Sequence, residues 1–170
     1  MSHAFYVTFW VSIVVLLIIA VIYSFSASTS IGDFEEADTS ARMAEARDSL
    51  VWTLILQSIA LALLVVLLIY GFAFKWHAVY ERPPCVFLLY AFFFVWFVAA
   101  LIPLVLAYER VGASVEILTS ATIQHAKRDL GVAIASVGAI EILLLIGYFG
   151  YVYRYETLRH LMFEKCMRAQ

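Results

Sequence analysis

The stretch that decides the fold is LGVAIASVGAIEILLLIGYFGYVY, residues 130–153, in which one charged residue, Glu141, interrupts 23 uncharged positions. A helix rises 1.5 Å per residue, so about 20 apolar residues cross the hydrocarbon core of a bilayer. Three more runs match it: Phe5–Phe25, Leu50–Phe74 and Cys85–Ala107, none holding an Asp, Glu, Lys or Arg. A soluble amphipathic helix exposes a polar face, and its charges would recur every few positions. These runs predict an all-α, polytopic membrane protein: one domain over residues 1–170 with four transmembrane helices in two helical hairpins.

Composition agrees. The chain is 65% hydrophobic and 14% charged, with a mean hydropathy of +0.94. Soluble domains carry about 25% charged residues. The net charge of −2 offers no clustered basic face for nucleic acid. Two cysteines, Cys85 and Cys166, cannot build a disulfide framework. The first run lacks a basic n-region and exceeds the length of a signal h-region, so it reads as a retained span.

The connections differ in kind. Lys75–Pro84 is short and ends in two prolines, which stop a helix and force a turn. Gly32-Asp33 followed by Glu36 has the pattern of a capping box, predicting a helix over Phe34–Ser49 that runs directly into span two. Thr119–Asp129 predicts the same ahead of span four. Spans two and four are thus expected to extend outside the bilayer. Thr39-Ser40-Ala41, Ala46-Arg47 and Leu50 recur 80 residues later as Thr119-Ser120-Ala121, Ala126-Lys127 and Leu130, the mark of two parallel units. Residues 154–168 predict an amphipathic C-terminal helix, at the interface or extending span four.

Positive charge near the span ends sets orientation. Lys75, Arg82, Arg154, Arg159, Lys165 and Arg168 share one side, against Arg42, Arg47, Arg110, Lys127 and Arg128 on the other. Both termini are therefore expected on the cytoplasmic or equivalent inner side.

Glu141 is the costly residue. A charge at the bilayer centre costs ~2.5–3.5 kcal/mol on insertion scales, so such groups face the bundle and often serve function. The intramembrane polar candidates near its depth are Gln57 and Ser58. One reading is a protonated carboxyl hydrogen-bonded to Gln57 as interhelical glue; a second is a proton or cation site on a transport path; a third is a charge paired with a partner subunit. Gly131, Ala135 and Ala139, with Gly138 beside them, form a small-residue series that lets helices approach closely. Packing within the chain is the plainer reading of it, and a homo-oligomer the sharper one. Phe92, Phe93, Phe94, Trp96 and Phe97 surround span three on every face and are expected to meet lipid or a partner protein. All four histidines lie outside the spans, which leaves no clamp for a haem. No catalytic, cofactor-binding or metal-ligating motif is present. The sequence therefore predicts a non-catalytic accessory or structural subunit of a larger membrane complex, partnered by other membrane subunits and lipids. The alternative is a small proton or cation channel or transporter component using Glu141.

Overall fold

The computed structural model describes the backbone of residues 3–35, 41–74, 83–112 and 121–168. All of it is helical: α1 (His3–Glu35), α2 (Ala41–Phe74), α3 (Pro83–Gly112) and α4 (Ala121–Arg168). Each helix is long and apolar enough to cross a membrane, over Tyr6–Gly32, Ala44–Ala73, Cys85–Gly112 and Gln124–Glu156. That is the make-up of an integral, multi-pass membrane protein. Helices answer the chemistry of lipid, where every backbone N–H and C=O must be satisfied within its own segment.

Two boundaries depart from expectation. The capping-box reading is overturned, because Gly32, Asp33, Phe34 and Glu35 close α1 and α2 begins only at Ala41. The cause is packing: Ser24, Ala27 and Ile31 continue the buried stripe of α1 past the end of its apolar run. Glu36, Thr39 and Ser40 lie outside the described residues, as do residues 75–82 and Thr119 and Ser120. Pro83 and Pro84 open α3 rather than merely ending what precedes them. A proline suits a first helical turn, where its missing N–H has no partner to lose. Pro103 sits inside an unbroken α3, and α4 continues through residues 154–168 without a stop.

Each helix packs on two others: α1 on α2 and α4, and α3 on α2 and α4. Side-chain contacts fix the directions. Ser26 meets Asp129 and Tyr6 meets Arg154, so α1 and α4 are antiparallel. Trp96 meets Leu56 and Arg110 meets Glu45, which makes α2 and α3 antiparallel. Phe87 meets Tyr148 and Lys127 lies over Tyr108, giving the same relation for α3 and α4. Across the diagonal, Trp10 of α1 touches Tyr90 and Phe93 of α3.

The core repeats itself. In α1 the buried positions are Tyr6, Trp10, Ile13, Leu17, Ala20, Ser24, Ala27 and Ile31. In α3 they are Val86, Tyr90, Phe93, Phe97, Ala100, Leu104, Ala107 and Val111, each 80 residues further on. Ala46, Leu50, Thr53, Gln57, Ala60 and Leu64 of α2 correspond in the same way to Ala126, Leu130, Ala133, Val137, Ile140 and Leu144 of α4. The spacing alternates four and three residues throughout, the knobs-into-holes seam of a coiled coil. Two like units thus close one bundle about a pseudo-two-fold axis along its length. Ala46 with Ala126 and Leu50 with Leu130, matched in the sequence, are all fully buried.

The two ends of the bundle are built differently. At one end the rings of Phe9, Trp10, Phe87, Tyr90, Phe93, Tyr148 and Tyr151 form a continuous network. At the other, polar ties join the helices. Ser26 donates to Asp129 at 2.6 Å. Arg110 donates to the Glu45 carbonyl at 3.0 Å and the Ser49 hydroxyl at 2.9 Å, with the Glu45 carboxylate 3.5 Å away.

Candidate functional site

The site is built from three side chains that the bundle buries without pairing. Gln57 occupies a core position of α2 and is fully buried; Glu141 follows the core residue Ile140 on α4 and is 9% exposed. Neither Gln57 Oε1 and Nε2 nor Glu141 Oε1 and Oε2 has a hydrogen-bond partner, and neither does Ser24 Oγ. Gln57 matches Val137 in the repeat, so Glu141, four residues further along α4, lies about one turn deeper than Gln57 and on the opposite corner of the bundle. Around that turn are Ile13 and Leu17 of α1 and Phe93 and Phe97 of α3, all apolar and buried. A polar layer about one turn thick therefore crosses an otherwise apolar core. The expected hydrogen bond between Gln57 and Glu141 is absent, since α2 and α4 face each other diagonally and are not packed neighbours. Ser58 is exposed, because one residue turns a helix by about 100° and takes it off the seam on which Gln57 lies. It has no part in the layer.

The internal repeat supplies a comparison for each polar group. The position matching Glu141 in the first unit is Leu61, and the one matching Gln57 in the second is Val137. Ser24 corresponds to Leu104, Thr53 to Ala133 and Ser136 to Leu56. The same fold thus accepts an apolar side chain at every one of these places. An unsatisfied buried polar group costs about 1–3 kcal/mol, and none of the three is required by the packing.

The other candidate positions sort differently from expectation. Phe93 and Phe97 are core residues, 3% and 0% exposed, which corrects the expectation that they meet lipid or a partner. They fall on the four-three seam, and Phe93 packs on Trp10. Phe92 is exposed at 46%, while Phe94 and Trp96 are half-buried. Trp96 turns its indole inward and donates from Nε1 to the Leu56 carbonyl at 3.0 Å. The small-residue series does not serve packing within the chain: Ala135 is exposed, and Gly131 and Gly138 have nothing within 4 Å of where a side chain would begin. Ala139 is half-buried. The close approach is instead at Gly147, where a Cβ would lie 2.6 Å from Phe9 Cζ and 2.9 Å from Tyr90 Oη.

Beside this contact an apolar crevice of about 280 Å³ opens outward between α3 and α4, lined by Phe87, Tyr90, Phe94, Leu144, Leu145 and Tyr148. Cys85 is a free, exposed thiol. Among the described residues no three His, Cys, Asp or Glu side chains come together. Sequence reasoning singled out Glu141 and Gln57 but missed Ser24 and the Ser26–Asp129 and Arg110–Glu45 ties. The 80-residue offset flags Ser24 and Ser26 as polar departures from Leu104 and Leu106, but not Asp129, Arg110 or Glu45, whose counterparts Ser49, Ser30 and His125 are themselves polar. Comparison with protein-family models, curated proteins and solved structures finds no match for this chain.

Proposed function

We propose that this protein is a non-catalytic accessory or structural subunit of a larger membrane assembly, in contact with lipid and with other membrane subunits. The observation that carries the reading is the length of α4, 48 residues. At 1.5 Å per residue that is about 72 Å, against a hydrocarbon core of about 30 Å. Tyr6 lies beside Arg154 and Phe87 beside Tyr151, so the helix past Thr157 runs beyond the described starts of α1 and α3. Phe74, the end of α2, corresponds to Arg154 in the repeat. The last three turns of α4 therefore continue beyond the described ends of the other three helices. They carry Arg159, Glu164, Lys165 and Arg168, and they suit a docking arm more than a membrane anchor. In this reading the spans form two hairpins, α2 and α4 extend past the bilayer, and both termini face the inner side, where Cys166 stays reduced.

Deleting residues 157–170 tests it. The shortened chain should still insert and fold, and native electrophoresis in mild detergent should show a smaller assembly than the full chain forms. An unchanged assembly, or a pure homo-oligomer in both cases, overturns the subunit reading.

A further inference from the structure

The buried polar groups are not spread evenly through the bundle. Ser24, Thr53, Gln57, Ser136 and Glu141 all lie between its middle and the end that carries Asp129, Glu45 and Arg110. From Glu141 to Asp129 is twelve residues of α4, about 18 Å. Ser26 pairs with Asp129, so Ser24, two residues away, lies about half a turn inside it. The 80-residue match sets Thr53 at the depth of Ala133 and Gln57 at that of Val137, so Thr53, Ser136, Gln57 and Glu141 follow in that order, the last about a turn beyond Gln57. Ser136 already donates to the Val132 carbonyl and Thr53 to the Ser49 carbonyl, which leaves both hydroxyl oxygens free to accept. A gap of about one turn, about 5–7 Å, is spanned by one or two water molecules where polar partners flank it and the core leaves room.

The other half of the bundle has no such ladder. Beyond Glu141 the interior is closed by Trp10, Tyr90, Phe93 and Tyr148 in mutual ring contact. Its polar atoms are phenols and an indole, with Arg154 bonded to Tyr6 only at the far rim. The crevice between α3 and α4 opens sideways through mainly apolar walls, with the phenols of Tyr90 and Tyr148 as its polar groups.

We infer that Glu141 and Gln57 form a proton-binding centre, and that it exchanges protons with solution only through the end of the bundle that carries Asp129. The donor set selects the ligand. One carboxyl and one amide supply at most three oxygens, the backbone carbonyls at that depth are spent within their helices, and a hard metal cation takes six or more oxygens. A proton needs only one. On release, the O–H bond of Glu141 breaks, the electron pair stays on the carboxylate, and the proton leaves on water as hydronium. The amide of Gln57 can donate to a water facing the carboxylate or accept from one facing the acid. Among the described residues no other ionisable group faces the centre at its depth: α1 presents Ile13 and Leu17, and α3 presents Phe93 and Phe97. The nearest titratable groups on the open side are Asp129, then Lys127, Arg110 and Glu45; on the closed side they are the phenols of Tyr90, Tyr148, Tyr151 and Tyr6. This role stands independently of the subunit reading, since it requires no partner.

Dicyclohexylcarbodiimide tests the inference, because it enters lipid and reacts with carboxyl groups only in their protonated form. The full chain is placed in phosphatidylcholine vesicles, and an introduced cysteine at Ala44 reports which end faces out. The adduct on Glu141 is then followed by mass spectrometry while one compartment is acidified. Acidifying the Asp129 side should raise the labelling rate several-fold; acidifying the aromatic side should leave it unchanged. Ser24→Leu, which installs the side chain already accepted at Leu104, should delay the response to the Asp129 side several-fold. Labelling that follows the aromatic side, that follows both sides equally, or that fails at Glu141 while the unfolded chain is labelled overturns the inference. So does a Ser24→Leu variant that responds at the original rate.

Discussion

Replacing Gly147 by alanine places a methyl group 2.6 Å from Phe9 Cζ, 3.0 Å from Phe9 Cε2 and 2.9 Å from Tyr90 Oη. Carbon atoms in contact prefer about 3.5–4.0 Å, so the Phe9 ring must retreat by about 1 Å. It is not free to do so without loss. Phe9 stands edge-on to Trp10 at 5.3 Å and tilts against Tyr90 at 6.1 Å, and both of those rings are core. Overpacking of this kind costs about 1–3 kcal/mol. Alanine returns up to ~1 kcal/mol through its better helix propensity, which leaves a net loss of up to about 2 kcal/mol. Gly131→Ala and Gly138→Ala meet nothing within 4 Å and keep only the propensity gain. Since 1 kcal/mol moves the midpoint of a chain this size by roughly 2–4 °C, Gly147→Ala should melt several degrees below the other two. Circular dichroism on detergent-purified protein measures the difference. Equal midpoints for all three variants would refute the close approach of α1 and α3 to α4 at Gly147.

Trp96→Phe removes the indole donor from the Leu56 carbonyl and should cost about 1 kcal/mol, read as a lower midpoint; an unchanged midpoint would mean the bond does not form. Glu141→Leu should raise stability by about 1–3 kcal/mol, because it deletes a buried group with no partner and copies Leu61. A destabilised Glu141→Leu would show that the carboxyl is glue after all. A cysteine introduced at Ala44 and the native Cys166 should react with an impermeant thiol reagent from opposite faces of a sealed vesicle. Reaction from the same face would contradict the four crossings.

The four crossings were legible because lipid permits so few alternatives. Runs as long as residues 50–74 or 130–153, with one charge between them, have no soluble explanation. Their ends were legible only in part. In α1 the helix outlasts its apolar run by ten residues, from Phe25 to Glu35, because Ser26, Ala27 and Ile31 still find partners or cover on the bundle. Hydropathy registers only the lipid, and local capping patterns such as Gly32-Asp33 compete with that packing and lose. The inner face of each helix was harder still. In a soluble helix the polar side marks the outside, whereas here Phe92 and Phe93 are equally apolar, one exposed and one in the core. Only the four-three spacing tells them apart, and an all-apolar helix does not display it. Diagonal placement explains the remaining miss. Hydropathy puts Gln57 and Glu141 at compatible depths, about a turn apart in the repeat, but depth says nothing about which corner of the bundle a side chain occupies.

The repeat changes how Glu141 must be weighed. An isolated intramembrane carboxyl invites either reading, since some folds need one for a hydrogen bond that nothing else provides. Here the fold is built twice. Leu61 holds the matching position in the first unit, half-buried and packed against the core, so a bundle of this geometry closes without a carboxyl there. Val137 makes the same point for Gln57, and Leu104 for Ser24. The polar set breaks the symmetry of the scaffold in one direction only, from the middle of the bundle toward Asp129. A stabilising device would recur in both units or be paired where it occurs. These groups do neither, so their cost in burial is set against something the bundle does rather than against how it folds.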